Sequence, residues 1–201
     1  MKKRILAAIL CLVMVISNVK SFSNQEVERL RGECGHLIIL NEEVLKERNL
    51  PLYLTPDRAA SVIASRYLFK GKGCTIFDFG ATLTIDRIDA EGNYLGGNIS
   101  LCCRTRFKAL NRYSKNLPLV DFDDDIPSLG DSVQTAIKSG VISGMLFEIN
   151  GYLSNNTENI SVFTGGDANY FAKRMKNCIF AVCNLVLMGL ALIAFEYDQR
   201  N

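Results

Sequence analysis

The sequence has one histidine, His36, in 201 residues. A lone imidazole excludes metal centres built from several histidines and gives no basis for Ser-His catalysis. The chain also lacks an excess of either charge, because it has 23 basic and 21 acidic residues. Nucleic-acid binding rests on a surplus of positive charge, so this balance predicts no nucleic-acid partner.

Seven cysteines are scattered along the chain without a Cys-x-x-Cys pair or a zinc-binding spacing, although Cys102 and Cys103 are adjacent. An odd number of cysteines at irregular intervals indicates reduced thiols in a cytosolic protein. The length suits one domain or two small ones with a real core. We therefore expect a cytoplasmic globular protein.

The N-terminus allows a second interpretation. Lys2 to Ile16 has the basic start and apolar run of a signal peptide, and Val19 to Ser21 could serve as a cleavage site. An exported binding protein would then be the function. The same run also suits a buried strand or helix of a cytosolic fold, and it is too short to span a bilayer as a helix. A membrane location is therefore not expected. The segment is either a signal peptide or a buried element of a cytosolic fold.

The segment around Asp78 is the most informative. Ile76 to Phe79 predicts a buried strand that carries Asp78 to its end. Gly80 permits a tight reversal into a second strand, Thr82 to Asp89, and a third strand starts at Tyr94. Carboxylate, turn N–H groups and threonine hydroxyls would meet at one tip, which suits a phosphate group with its cation. The alternative is an ordinary meander with a solvated acid.

Helical patterns flank this segment. Pro56 can open a helix at its first turn, which places Asp57 and Arg58 near the helix N-terminus. Ser132 to Tyr152 has the periodicity of an amphipathic helix. The apolar run from Leu185 to Phe195 predicts a terminal helix that docks on the core, with a membrane anchor as the alternative.

A second glycine turn follows another short strand. Ile160 to Phe163 predicts a buried strand, and a helix is expected from Ala168 to Met175. Thr164-Gly-Gly-Asp167 lies between them. A strand, a glycine turn and a helix N-terminus together form a common docking place for a nucleotide.

Seven motifs occur in register over most of the chain, from about Val15 to the C-terminus. They are Asp57-Arg58, Asp78-Phe-Gly80, Gly96-Gly-Asn-Ile-Ser100, Arg106-Phe-Lys-Ala-Leu110, Leu117-Pro-Leu119, Thr164-Gly-Gly-Asp-Ala168 and Asn184-Leu-Val-Leu-Met-Gly-Leu190. In this order they resemble the type III pantothenate kinases, a family of the actin-like sugar-kinase superfamily.

The resemblance implies an α/β protein with the actin-like ATPase, or ribonuclease H-like, fold. We expect an incomplete first domain at residues 1–70 and a complete second domain at residues 71–201. The second domain would carry a mixed sheet, flanking helices and the C-terminal helix, and would form a homodimer. The implied activity is transfer of the ATP γ-phosphoryl group to the hydroxyl of pantothenate, giving 4'-phosphopantothenate for coenzyme A biosynthesis.

The resemblance also implies site residues. Asp57 matches the aspartate that acts as the base. The positions that match substrate contacts are Thr55, Pro56, Arg58 and Val133. The positions that match the nucleotide-binding turns are Ala81, Thr82, Gly165 and Gly166. Asp78 matches the residue that binds a potassium or ammonium ion beside the phosphates, and Mg²⁺ is expected with ATP.

The chain departs from the family pattern near the chemistry. Residues 1–24 contain no Asp-x-Gly-Asn-Thr string, the turn expected to grip the ATP phosphates, so we expect an N-terminally truncated, divergent member. Pro56 stands where glycine is expected, Ala81 and Val133 replace threonines, and Leu101-Cys102 replaces Pro-Gly. The alternative to a kinase is therefore a non-catalytic paralogue that serves as a dimerisation or binding protein.

Overall fold

The structure, a computed structural model, describes residues 28–29, 38–121, 125–155, 157–176 and 179–200, without the side chains of Asp198 and Arg200. The signal-like run at Lys2 to Ile16 lies outside these residues. The elements described from residue 38 onward follow in this chain order: α1 (Glu42–Glu47), α2 (Pro56–Leu68), β1 (Cys74–Phe79), β2 (Thr82–Ile88), β3 (Tyr94–Leu101), α3 (Cys103–Tyr113), α4 (Val133–Ser154), β4 (Ile160–Gly165), α5 (Ala168–Ala172), β5 (Ile179–Ala181) and α6 (Leu185–Arg200).

The strands form one sheet in the order β3-β2-β1-β4-β5. β1 pairs with β4 in parallel, and β4 pairs with β5 in parallel. The turns that join β1, β2 and β3 are too short for a crossover, so these strands form an antiparallel meander. The predicted α/β class with a mixed sheet and flanking helices is confirmed.

The chain divides into two compact units. The first ends at Gly71 and also contains Ile88–Leu95 and the C-terminal segment from Asn184. The second contains Lys72–Arg87 and Gly96–Cys183. The first break lies beside the predicted boundary, but α6 groups with the first unit instead of with residues 71–183. Assignment of these units to the two actin-like domains stays a prediction.

Phenylalanine rings fill the centre of the second unit. The rings of Phe77 and Phe79 each lie 5.0 Å from the ring of Phe163, and Phe171 lies 5.0 Å from Phe79. The apolar face predicted for α4 belongs to the same core, and its buried residues include Ile137, Val141, Met145 and Ile149. Burial of each large side chain stabilises the fold by about 1.5–3 kcal/mol, so this core holds β1 and β4 in place.

The first unit packs α2 against α6. Gly189 makes the approach possible, because a Cβ there would lie 1.9 Å from the carbonyl oxygen of Ala60. Leu185, Leu190 and Ile193 are buried, so the predicted docking of the terminal helix on a core is confirmed. No helix within the described ranges is both long and apolar enough to cross a membrane.

Candidate active site

Asp78 lies at the carboxyl end of β1, as the sequence predicts. Its register partner in β4 is Thr164, and the next pair is Phe79 with Gly165. The buried strand ends here in a turn, where the N–H of Gly80 donates to the carbonyl of Thr82 at 3.1 Å. Ala81 and Thr82 are exposed at the tip. Asp78 is half-buried beside this exposed turn, and the binding of a phosphate group with its cation there stays a prediction.

Gly165 brings the second glycine turn against this carboxylate. Its φ of +90° lies in the region that side chains rarely adopt. A Cβ at this position would lie 2.5 Å from Asp78 Oδ1 and 2.6 Å from the carbonyl oxygen of Phe79. Gly166, in contrast, is exposed and a Cβ there would meet nothing within 4 Å. The backbone at Gly165 thus occupies a place that only glycine fits.

Two oxygen atoms and a backbone nitrogen crowd the backbone at Gly165. Asp78 Oδ1, the Phe79 carbonyl oxygen and the Phe79 backbone nitrogen lie 2.5, 2.6 and 2.7 Å from the position that a Cβ on Gly165 would take. A carboxylate and a backbone carbonyl are the hard oxygen ligands that Mg²⁺ and other hard cations take in proteins. The Asp78 carboxylate is thus the type of ligand that a hard cation takes, and its binding of potassium or ammonium stays a prediction.

Residues at the start of α3 form hydrogen bonds with the exposed turn after β1. Thr105 donates its hydroxyl to the carbonyl of Ala81 at 2.6 Å, and the N–H of Cys102 approaches the same oxygen at 3.4 Å. These bonds fix the backbone of the turn although Ala81 contributes no hydroxyl of its own. No spacing in the sequence predicted Thr105 as an anchor, because it lies 24 residues from its partner.

The thiol groups of Cys102 and Cys103 lie at the start of α3, next to this turn. The Cys103 thiol donates to Asp167 Oδ2 at 3.3 Å, and both cysteines are buried. Contact with the Cys103 side chain and a hydrogen bond from the Cys103 backbone N–H lower the pKa of the Cys102 thiol, and the positive charge of Arg106 acts in the same direction. The same contact with Cys102, together with burial, raises the pKa of Cys103.

In the first unit, Asp57 and Arg58 lie in the first turn of α2, as predicted. Thr55 is the N-cap residue and Pro56 opens the helix. Asp57 is half-buried, and a carboxylate at this end of a helix is favoured by the helix dipole. Arg58 is only 5% exposed and donates from Nη2 to the Tyr94 hydroxyl at 3.0 Å.

Tyr94 is a partner of the predicted site residue Arg58 that sequence reasoning missed. It lies 36 residues from Arg58, so neither helical nor strand periodicity joins the two. The ring of Tyr53 meets the ring of Tyr94 edge-on, with centroids 6.5 Å apart. The hydroxyl of Tyr94 therefore orients a guanidinium group whose position is fixed by burial.

Val133, the remaining predicted substrate contact, lies at the start of α4. It lines a cavity of about 880 Å³ between α3 and α4, within the second unit. The walls are mostly apolar, and Leu110 and Tyr113 contribute to them. Arg106 also lines the cavity and forms an ion pair with Glu148. The valine offers this cavity a methyl surface where the family pattern has a hydroxyl.

Residues 14–155 match the family described as type III pantothenate kinase. The chain belongs to the type III pantothenate kinase family. A type III pantothenate kinase of Phocaeicola vulgatus is 40% identical over 193 residues, which cover 92% of this chain and 80% of that protein. The enzyme of that name from Flavobacterium johnsoniae is 34% identical over 200 residues, covering 95% and 81%.

A solved structure supports the same fold. A Campylobacter jejuni protein assigned to the Baf family of transcriptional activators matches with a TM-score of 0.58 at 22% identity, covering 81% of this chain and 82% of that one. The actin-like fold that the resemblance implied is the fold of this pantothenate kinase family. Membership also supports use of ATP, whereas Mg²⁺ and a monovalent cation stay predictions.

Proposed function

We propose that this chain transfers the γ-phosphoryl group of ATP to the 4'-hydroxyl of pantothenate in coenzyme A biosynthesis. The observation that carries the proposal is the close approach of Gly165 to Asp78, which brings the turn proposed to bind the nucleotide beside the carboxylate proposed to bind a cation. Membership of the type III pantothenate kinase family supports the choice of substrate.

Asp57 is the proposed general base. Its carboxylate takes the proton of the pantothenate hydroxyl while that oxygen attacks the γ-phosphorus, and the bond to the β–γ bridging oxygen breaks to release ADP. Arg58 and its neighbours Thr55 and Pro56 hold the substrate. Because Tyr94 fixes the Arg58 guanidinium, that group orients its ligand without losing further rotamer freedom.

The groups at the end of β1 and β4 hold the nucleotide. Gly165 and Gly166 let the backbone approach the phosphates, and the turn at Ala81 and Thr82 presents N–H groups to them. Asp78 would hold potassium or ammonium, and such an ion would, with Mg²⁺, supply positive charge beside the transferred group. Thr82 offers the hydroxyl that Ala81 lacks. The proposed setting is the cytoplasm, and the proposed assembly is a homodimer through the second domain.

Replacement of Asp57 tests the proposal. Wild-type protein with ATP, Mg²⁺, potassium and pantothenate should release ADP only when pantothenate is present. Asp57→Asn should lower kcat by about 10²–10⁴-fold, because the base is removed while its shape is kept. Glu43→Gln is the matched control, since Glu43 is also an acid in the first turn of a helix. Equal rates for Asp57→Asn and wild type would reject the role of Asp57.

A second candidate function is a non-catalytic paralogue that serves as a dimerisation or binding protein. It is favoured by Ala81 and Val133, two exposed positions that lack the hydroxyls of the family pattern. The variant Ala81→Thr with Val133→Thr separates the two functions. A kinase should gain turnover from the restored hydroxyls, whereas a paralogue should show no turnover in either form. ATP binding at micromolar affinity would count against the paralogue.

A further inference from the structure

Three potential metal ligands meet within the second unit. The Sγ atoms of Cys102 and Cys103 and a carboxylate oxygen of Asp167 all lie within 4.8 Å of one another. Both cysteines are fully buried, whereas the Asp167 side chain is 14% exposed. The cluster thus has a closed thiol side and a carboxylate that reaches the solvent.

The three ligands lie at the starts of two helices. Cys102 is the N-cap residue of α3, an eleven-residue helix, and Cys103 is its first residue. Asp167 is the N-cap residue of α5, and its side chain makes no cap hydrogen bond. Its Oδ2 instead accepts from Cys103, and Oδ1 lies 3.9 Å from Nε of Arg104. Two helices that are distant in sequence therefore bring their ligand atoms close together.

We propose that Cys102, Cys103 and Asp167 form a site for a zinc-class divalent ion, with water or a small ligand in the fourth position. Two sulfur ligands select a soft or borderline ion over Mg²⁺, and three protein ligands leave a tetrahedral ion with one open position. Zinc lies about 2.3 Å from sulfur and about 2.0–2.2 Å from oxygen, so binding draws the three side chains together slightly. The thiols lose their protons to solvent as the ion binds.

The site would connect the turn after β1 with the glycine turn after β4. Cys102 contacts the Ala81 carbonyl through its N–H, and Asp167 directly follows Gly165 and Gly166. A bound ion would therefore join the two loops on either side of Asp78. Binding to the folded state alone also raises its stability by mass action. The inference is independent of the proposed kinase activity.

Cobalt is the probe for this site. The full-length protein is reduced, freed of metal with a chelator, separated from the chelator and titrated with Co²⁺. One Co²⁺ per chain should bind and give a sulfur-to-cobalt charge-transfer band with tetrahedral d–d bands, and Zn²⁺ should displace it. Absence of the charge-transfer band in reduced wild-type protein would overturn the proposal.

Matched variants separate this site from other thiols. Cys102→Ser with Cys103→Ser should lose the charge-transfer band, and Asp167→Asn should weaken Co²⁺ binding at least tenfold. Cys183→Ser is the control, because Cys183 is an exposed free thiol, and it should keep the full signal. Circular dichroism verifies that each variant is folded. If the double serine variant fails to fold, Asp167→Asn decides alone, since unchanged affinity there contradicts the site.

Discussion

Gly165 shows how single residues shape the candidate site. Its φ of +90° and the atoms around it leave no room for a side chain. Gly166 follows directly, yet a Cβ there would meet nothing within 4 Å. The sequence motif shows two equivalent glycines, and only the structure distinguishes the one that is sterically required.

We predict that Gly165→Ala lowers the free energy of unfolding by about 3 kcal/mol, because the new Cβ would strain the backbone and collide with Asp78 and Phe79. Urea denaturation of the variant against wild type measures the loss. Gly166→Ala is the matched control and should change stability by about 0.5 kcal/mol or less. Equal losses for the two alanine variants would contradict the close approach of the two turns.

At the scale of elements, the contact between α2 and α6 depends on the absence of a side chain at Gly189. Gly140 in α4 has no such close contact and serves as the comparison. We predict that Gly189→Ala destabilises the protein by about 3 kcal/mol, since its Cβ would lie 1.9 Å from the Ala60 carbonyl oxygen. Gly140→Ala should instead stabilise by about 0.5–1 kcal/mol, because Gly140 is an exposed helix residue with open space around it. Thermal unfolding of both variants provides the measurement, and a stabilised Gly189→Ala protein would refute the packing.

The turn between β2 and β3 gives a pH-dependent prediction. The Asn93 side chain and N–H donate to the Asp89 carboxylate at 2.9 and 2.6 Å, which holds the pKa of Asp89 below its usual range. A lowered folded-state pKa stabilises the fold above the unfolded pKa of about 3.9, and this contribution is lost as the pH falls through the folded-state value.

Asn93→Ala should therefore raise the pKa of Asp89 in the folded protein. An NMR titration of the Asp89 carboxyl carbon measures the shift. The stability difference between wild type and variant should be present at neutral pH and shrink in acid. An unchanged Asp89 pKa in the variant would show that other groups set it.

Elements with strong local patterns were predictable from the sequence. β1, β2 and α4 follow from apolar periodicity, and Pro56 marks the start of α2 because proline suits the first helical turn. The apolar run from Leu37 to Leu40 predicts a further short buried strand, and this prediction is wrong for Ile38 to Leu40, which are in no strand. Leu40 is nevertheless buried. The apolar run therefore indicates burial correctly but does not determine the backbone conformation.

At the scale of the whole molecule, sequence reasoning recognised the family but missed long-range partnerships. It placed the C-terminal helix with residues 71–183, whereas α6 groups with the first unit through packing against α2. Such a contact joins segments more than a hundred residues apart, and no local periodicity encodes it. The pair of Arg58 and Tyr94 was hidden for the same reason.

Asp57 belongs to the first unit and Asp78 to the second. Each unit supplies a part that matches the family pattern, and the chain covers 80% of its Phocaeicola vulgatus relative. The activity of the whole chain therefore tests the account more directly than the stability of either unit.

The measurement is transfer of the labelled γ-phosphoryl group from ATP to pantothenate, with the product identified by mass spectrometry. We predict labelled 4'-phosphopantothenate from the wild-type protein and at least a hundredfold less from Asp57→Asn. Folded wild-type protein that leaves pantothenate unlabelled in the presence of Mg²⁺ and potassium would contradict the kinase function.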